Sequence, residues 1–332
     1  MALWPGQRHP PPPPLIPGDD MHHHIAYGLT IRSNRPLGEL PAVERTASVD
    51  LEVIWEEVSR PHPAEREWFR SWDDASGTPR LRAARNGAGG YVLRVGEEVE
   101  YEIASDAATI RCRATPASSR GVVVGALLDQ VVPLALSHRG AAVFHGSAVE
   151  FDGVAAAFLG VSGRGKSTLA AHFGRRGHPV VSDDCLVLDD DGTVARVRPS
   201  YPGVRLWGDS LDTLLPESER NDTVRLASGK SRYGNAGAVP FAASALPLDR
   251  VFLLAPATTM RLEVSPLQGA ALLQAIIRCQ FLLDHTDPTE LDRSFAAAGR
   301  LVGAVPCSLL SVPRDLTRLD EHVEEILDLV RA

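Results

Sequence analysis

Phe158-Leu159-Gly160-Val161-Ser162-Gly163-Arg164-Gly165-Lys166-Ser167-Thr168 is the stretch from which the rest of the chain can be read. It satisfies G-x-x-x-x-G-K-[ST], the pattern of a phosphate-binding loop. An apolar run (Val154–Leu159) precedes it, and a helical pattern over residues 169–176 follows. Gly160, Gly163 and Gly165 permit backbone torsions that a side chain would forbid, so successive N–H groups can turn inward around phosphate oxygens. The helix that begins here adds its positive N-terminal end. Lys166 supplies a point charge for terminal phosphates, and the Ser167 hydroxyl suits Mg²⁺. With Ser162, Arg164 and Thr168 these residues form the expected contact surface for ATP. The bland alternative, a glycine-rich turn ahead of an ordinary helix, would not need the apolar strand in front.

At 332 residues the length suggests two domains with a real core. With 44% apolar residues, 23% charged and a formal net charge of -8, nucleic acid or an anionic membrane is not expected as the main partner. No apolar run is expected to span a membrane, and no segment reads as a secretory signal. Cys112, Cys185, Cys279 and Cys307 are far apart and read as reduced thiols of a cytoplasmic protein.

Residues 1–24 read as a disordered Pro-rich tail, with Pro10 to Pro14 in one run and Met21 as a second candidate start. The His22-His23-His24 run reads as exposed and unliganded, metal binding being the lesser reading. Residues 25–138 read as a β-rich domain: an antiparallel sheet with one buried face, in which residues 26–33 form one strand. Trp68, Phe69 and Trp72 are expected on a helix or loop packed against it. An apolar helix over residues 119–138 ends this domain, with Pro133 kinking it or marking a boundary. Residues 139–332 read as an α/β domain carrying the loop. Asp152-Gly153 is a hairpin signal, and Arg175-Arg176-Gly177 closes the loop helix. The acidic run of residues 189–192 reads as a solvated hairpin tip. Residues 199–240 are loop-rich, and three helical segments with one intervening strand end the chain.

Phosphoryl transfer needs a carboxylate site besides the loop. Asp183 and Asp184 end the short strand that follows the loop helix. In an open parallel sheet, strand C-termini line the ligand crevice. Adjacent strand residues point to opposite faces, which separates their roles. Asp183 is assigned as general base toward an acceptor hydroxyl and Asp184 as the Mg²⁺ partner; a polar strand end is the alternative. Arg205, Lys230 and Arg232 are cations of the loop-rich insert, and Arg205 is preferred for stabilising the transferring phosphoryl group because apolar neighbours would hold it.

The run from His145-Gly146 through Gly160-Val161-Ser162-Gly163-Arg164-Gly165-Lys166-Ser167 to Arg176-Gly177-His178 and Ser182-Asp183-Asp184 resembles the catalytic core of HPr kinase/phosphorylase. The resemblance covers about forty residues, 145–188, in three ordered motifs. It implies an ATP- and Mg²⁺-dependent serine kinase of P-loop kinase fold, with the first acid of the pair as base and His145 near the phosphates. Thr168 stands where the bifunctional enzymes carry an acid, and Pro202-Gly203-Val204-Arg205-Leu206-Trp207 replaces their glutamate-bearing signature. Phosphorylase activity and HPr as substrate are therefore not implied. Residues 27–33 and 205–210 resemble divergent HPr-kinase-like proteins of peptide natural-product clusters, which phosphorylate a serine at the C-terminus of a lasso precursor peptide. A peptide or protein with an acceptor serine is thus the expected partner, with self-association as a homo-oligomer left open. A nucleotide-binding regulator and a small-molecule kinase are the alternatives.

Overall fold

The structure, a computed structural model, describes residues 21–59, 66–74, 76–97, 99–190, 194–220, 223–226, 229–234, 239–257 and 259–331. The Pro-rich run and the second half of the acidic tip (residues 191 and 192) lie outside them.

Eight strands form the first sheet: β1 (His22–Ala26), β2 (Leu29–Ser33), β3 (Leu51–Glu57), β4 (Trp68–Asp73), β5 (Pro79–Arg85), β6 (Tyr91–Val95), β7 (Val99–Ile103) and β8 (Thr109–Ala114). Their spatial order is β1-β2-β3-β8-β7-β6-β5-β4. Several expectations change here. The histidine run is the first strand, and His23 and His24 are buried. Residues 26–33 are not one strand, because Tyr27 and Gly28 both take positive φ (55° and 68°) and make a two-residue hairpin turn. The sheet is not wholly antiparallel, since β3 runs parallel to both β2 and β8. Trp68, Phe69 and Trp72 lie on edge strand β4, where Arg82 and Arg94 flank the Trp68 ring at 4.9 and 5.0 Å. These cations favour the ring's negative face and give the edge a charged cover.

The other face of this sheet packs on one helical run. α1 (Arg120–Ala126) starts at the Ser119 cap, passes through a π-helical turn at Leu127–Val131 and continues as α2 (Val132–His138). The π turn precedes Pro133, which has no N–H to offer the carbonyl four residues back. By length and composition this 19-residue run could cross a membrane, contrary to the sequence expectation. It is instead mostly buried, with Val123, Val124, Leu127, Leu128 and Val131 packed against Ile31, Val53, Leu93, Tyr101 and Ile110.

The second sheet contains β9 (Ala142–Phe144), β10 (Gly146–Phe151), β11 (Val154–Leu159), β12 (Val180–Ser182), β13 (Leu186–Asp190), β14 (Ala195–Val197), β18 (Leu246–Ala255), β19 (Glu263–Pro266) and β20 (Cys307–Ser311). It is mixed, not purely parallel: β11 runs parallel to β18 and β18 to β20, whereas β10 is antiparallel to both β11 and β12. Two reversals leave β12 pointing the same way as β11, so both end at one edge. The turn from β10 to β11 is the expected one, with Asp152 and Gly153 at φ 49° and 86°. Strand alternation divides β11 between two layers. Ala156 and Phe158 face α3 (Lys166–Arg175) and α8 (Leu319–Arg331), whereas Ala155, Ala157 and Leu159 face α6 (Gly269–Ile277) and α7 (Pro288–Ala304). The insert holds a three-stranded sheet of β15 (Val204–Leu206), β16 (Val224–Arg225) and β17 (Ser231–Tyr233), with short helices α4 (Gly208–Leu214) and α5 (Glu217–Arg220). Val143, Cys185, Val187, Tyr201 and Leu283 join the core beneath the first sheet, so the two halves share packed side chains.

Candidate active site

The loop between β11 and α3 has the backbone its glycines foretell. Gly160, Gly163 and Gly165 take φ of 148°, 80° and 91°. At Gly160 a Cβ would also stand 3.1 Å from the Leu254 carbonyl oxygen, so the approach of β18 demands glycine independently. Val161, Ser162, Gly163 and Gly165 are exposed and Arg164 is half-buried, whereas Lys166 and Ser167 are buried where α3 begins. Lys166 folds back under the loop, its Nζ donating to the carbonyls of Gly160 (2.7 Å) and Val161 (2.9 Å). Burial lowers its pKa to about 8, with Asp184 opposing the shift and Lys230 adding to it. Thr168 Oγ1 lies 3.0 Å from Ser210 Oγ, which ties α3 to α4. Arg314 reaches across to donate to the Gly163 carbonyl.

His145 precedes β10, and Asp183 and Asp184 follow β12, so all three arrive at the loop edge of the sheet. Gly146 is also favoured at this edge, because a Cβ there would fall 2.9 Å from the Phe158 carbonyl oxygen. The two acids then part company. The cause is a turn and not the strand pleat, since Asp184 has φ 69°, an unusual value for a residue with a side chain.

Asp183 is fully buried, and both carboxylate oxygens are engaged. Oδ1 accepts from the Ser147 hydroxyl (2.6 Å) and Oδ2 from the Arg205 backbone N–H (2.8 Å). The carboxylate expected to act as general base is thus closed to solvent in this structure and hydrogen-bonded at both oxygens. Arg205 is engaged too. At 1% exposure it bonds Asp129 through Nη2 (2.8 Å) and Nε (3.1 Å), and the Asp183 carbonyl through Nη1 (2.9 Å). Its guanidinium lies 4.8 Å from the Tyr201 ring centroid, and Tyr201 donates to Asp129. What holds Arg205 is therefore Asp129, the Asp183 carbonyl and the Tyr201 ring, none of which belongs to the loop.

Asp184 lies at the centre of the second group. Its Oδ1 accepts from Lys230 Nζ at 3.0 Å, its carbonyl lies 2.9 Å from His145 Nδ1, and its charge is felt at Lys166. Burial would raise its pKa, but Lys230, with Arg205 behind it, holds it well below the usual carboxylate range. Burial lowers the His145 pKa against the pull of Asp184, which favours the neutral imidazole. Lys230 keeps a raised pKa despite burial, because Asp184 outweighs it. Lys230 was ranked behind Arg205 in the sequence. Its signal there is rarity: Lys166 and Lys230 are the only lysines in the chain. Ser147, Asp129 and Tyr201 carried no signal, because their partners lie 36 to 76 residues away.

The arrangement suits a nucleotide and a hard cation. The glycine cradle leaves room where a Cβ would intrude, and Ser167 with Asp184 supplies the oxygen donors that Mg²⁺ takes alongside substrate phosphates. No cluster of three or more His, Cys, Asp or Glu that could hold a metal occurs among the described residues.

No family model matches the chain, and no curated protein matches it. Among solved structures it is similar to the Hpr(Ser) kinase/phosphatase from Coxiella burnetii, at 14% identity over 57% of this chain and 97% of that chain, with a TM-score of 0.30. Agreement at that level does not establish a common fold.

Proposed function

We propose that this chain is an ATP- and Mg²⁺-dependent kinase that transfers the γ-phosphoryl group to a serine hydroxyl of a peptide or protein. A C-terminal serine of a lasso precursor peptide is the finer form of this reading. The observation that carries it is the contact of His145 with Asp184 at the loop edge, close enough to Lys166 for the Asp184 charge to be felt there, with the three residues coming from three separate segments.

Lys166 and the loop N–H groups bind the phosphates, Ser167 and Asp184 hold Mg²⁺, and neutral His145 fixes the Asp184 backbone. Held there, Mg²⁺ would supply positive charge to the phosphoryl oxygens. Phosphoryl transfer passes through a loose transition state, so positioning and charge matter more than proton abstraction. A carboxylate with a depressed pKa is a weak proton acceptor, and Asp184 acts here by electrostatics and orientation. Asp183 becomes a positioning residue that anchors the turn presenting Asp184.

The test is transfer of label from [γ-³²P]ATP to serine peptides. Wild-type protein should label them, Asp184→Asn should bind ATP without labelling, and Lys166→Ala should do neither. ATP binding with no labelled peptide leaves a nucleotide-binding regulator, and label on a small hydroxyl compound leaves a small-molecule kinase.

A further inference from the structure

Of the 34 Lys and Arg side chains in this sequence, two are lysines. Wherever else a cation pairs with a carboxylate, rims a sheet or covers a tryptophan, it is arginine, as at Arg32, Arg94, Arg113 and Arg205. The two lysines lie 64 positions apart, yet Lys230 bonds Asp184, and Lys166 feels the charge of both. Lysine and arginine are not interchangeable: an ammonium is a compact point charge that can change partners, whereas a guanidinium is a planar fork suited to a fixed pair. Lys166 has its expected place in the phosphate loop. Lys230 has no such motif to explain it.

Lys230 stands on a hairpin that closes on itself. Gly229 N–H donates to the Leu226 carbonyl, and Leu226 N–H donates to the Lys230 carbonyl. Gly229 takes φ 84°, and a Cβ there would touch the half-exposed Trp207 ring at 3.4 Å. The backbone on either side is thus held, and the four-carbon stem carries the amine to Asp184. Its side chain is 11% exposed, so the ion pair with Asp184 is almost shut off from water. In such surroundings a cation leaves one anion only for another.

The geometry points to Lys230 as a second phosphate-directed cation, which exchanges Asp184 for the terminal phosphate of a bound nucleoside triphosphate and so releases Asp184 for Mg²⁺. This rests on the nucleotide-binding part of the reading above and adds a selectivity to it. Because the exchange is assigned to the terminal phosphate alone, it distinguishes triphosphate from diphosphate.

Two measurements test this. Direct titration with a non-hydrolysable ATP analogue and with ADP should show that Lys230→Met loses roughly tenfold to a hundredfold in triphosphate affinity, the range for one charge-assisted contact, with ADP affinity within about twofold. Equal losses for both nucleotides, or none, overturn the proposal. Lysine ¹³Cε labelling of the wild-type protein gives two side-chain signals and needs no variant to fold. The Lys230 signal should move with the triphosphate analogue and stay with ADP, while the Lys166 signal moves with both. A Lys230 signal that ignores the triphosphate, or answers ADP equally, refutes the exchange. A Lys166 signal that ignores every nucleotide refutes the nucleotide-binding reading itself.

Discussion

Two buried ionic clusters lie on consecutive residues and behave in opposite ways. Around Asp183, one arginine joins Asp129, Asp183 and Tyr201 into a network with both Asp183 oxygens satisfied. Around Asp184, two lysines and a histidine gather on one acid whose backbone is held in a left-handed turn. The first cluster closes a joint between the insert, the π turn and β12. The second pairs a carboxylate with one amine, and its charge is felt by the lysine folded under the exposed loop. A closed arginine network is a structural seal, and a lysine-held acid beside open loop N–H groups is a place where a ligand can take over a partner.

The contrast breaks most readily at the seal. Arg205→Met should leave Asp129 and Asp183 buried without their counter-ion and cost about 3–5 kcal/mol of folding stability, read by urea denaturation. A loss near zero would mean that the seal is not structural. Next comes the open cluster: Lys166→Ala should lower phosphoryl transfer by roughly 10²–10³ while leaving the denaturation midpoint nearly unchanged. Paired amide substitutions sharpen the difference between neighbours. Asp183→Asn sets an amide donor against either the Arg205 N–H or the Ser147 hydroxyl and should cost about 1–3 kcal/mol of stability. Asp184→Asn should reduce turnover with a smaller change in stability, and the reverse pattern would exchange the two roles.

The pH dependence is smaller and its sign follows from Lys166. With its pKa lowered from 10.5 to about 8 in the free protein, the amine loses its proton as pH rises through about 8. Phosphates favour the charged form, so nucleotide affinity should be highest below that pH and fall above it. Binding between pH 8 and 9 should take up a proton, visible as a calorimetric enthalpy that changes with the buffer's ionisation heat. The smallest effect belongs to Arg314, whose exposed side chain braces the Gly163 carbonyl. Arg314→Ala should weaken nucleotide binding by only about twofold to fivefold, as expected for one solvated hydrogen bond.

Legibility followed the range of the interactions. The loop glycines, the Asp152-Gly153 turn and the closing helices were readable because each depends on a few neighbouring residues and their allowed torsions. Strand β3 was read as antiparallel because alternation gives a strand's faces but not the direction of its partners. The aromatic run at Trp68 was taken for helix or loop because arginines that cover an edge strand come from elsewhere in the sheet.

By itself the sequence determined the glycine-rich loop, the order of elements around it and the presence of two acids after β12, since torsional permission and hydrophobic period are local properties. Only the tertiary structure decided which acid is sealed and which is presented, and that Lys230 rather than Arg205 reaches the site. Those outcomes depend on which charges meet once water is excluded, between residues 22 to 76 positions apart.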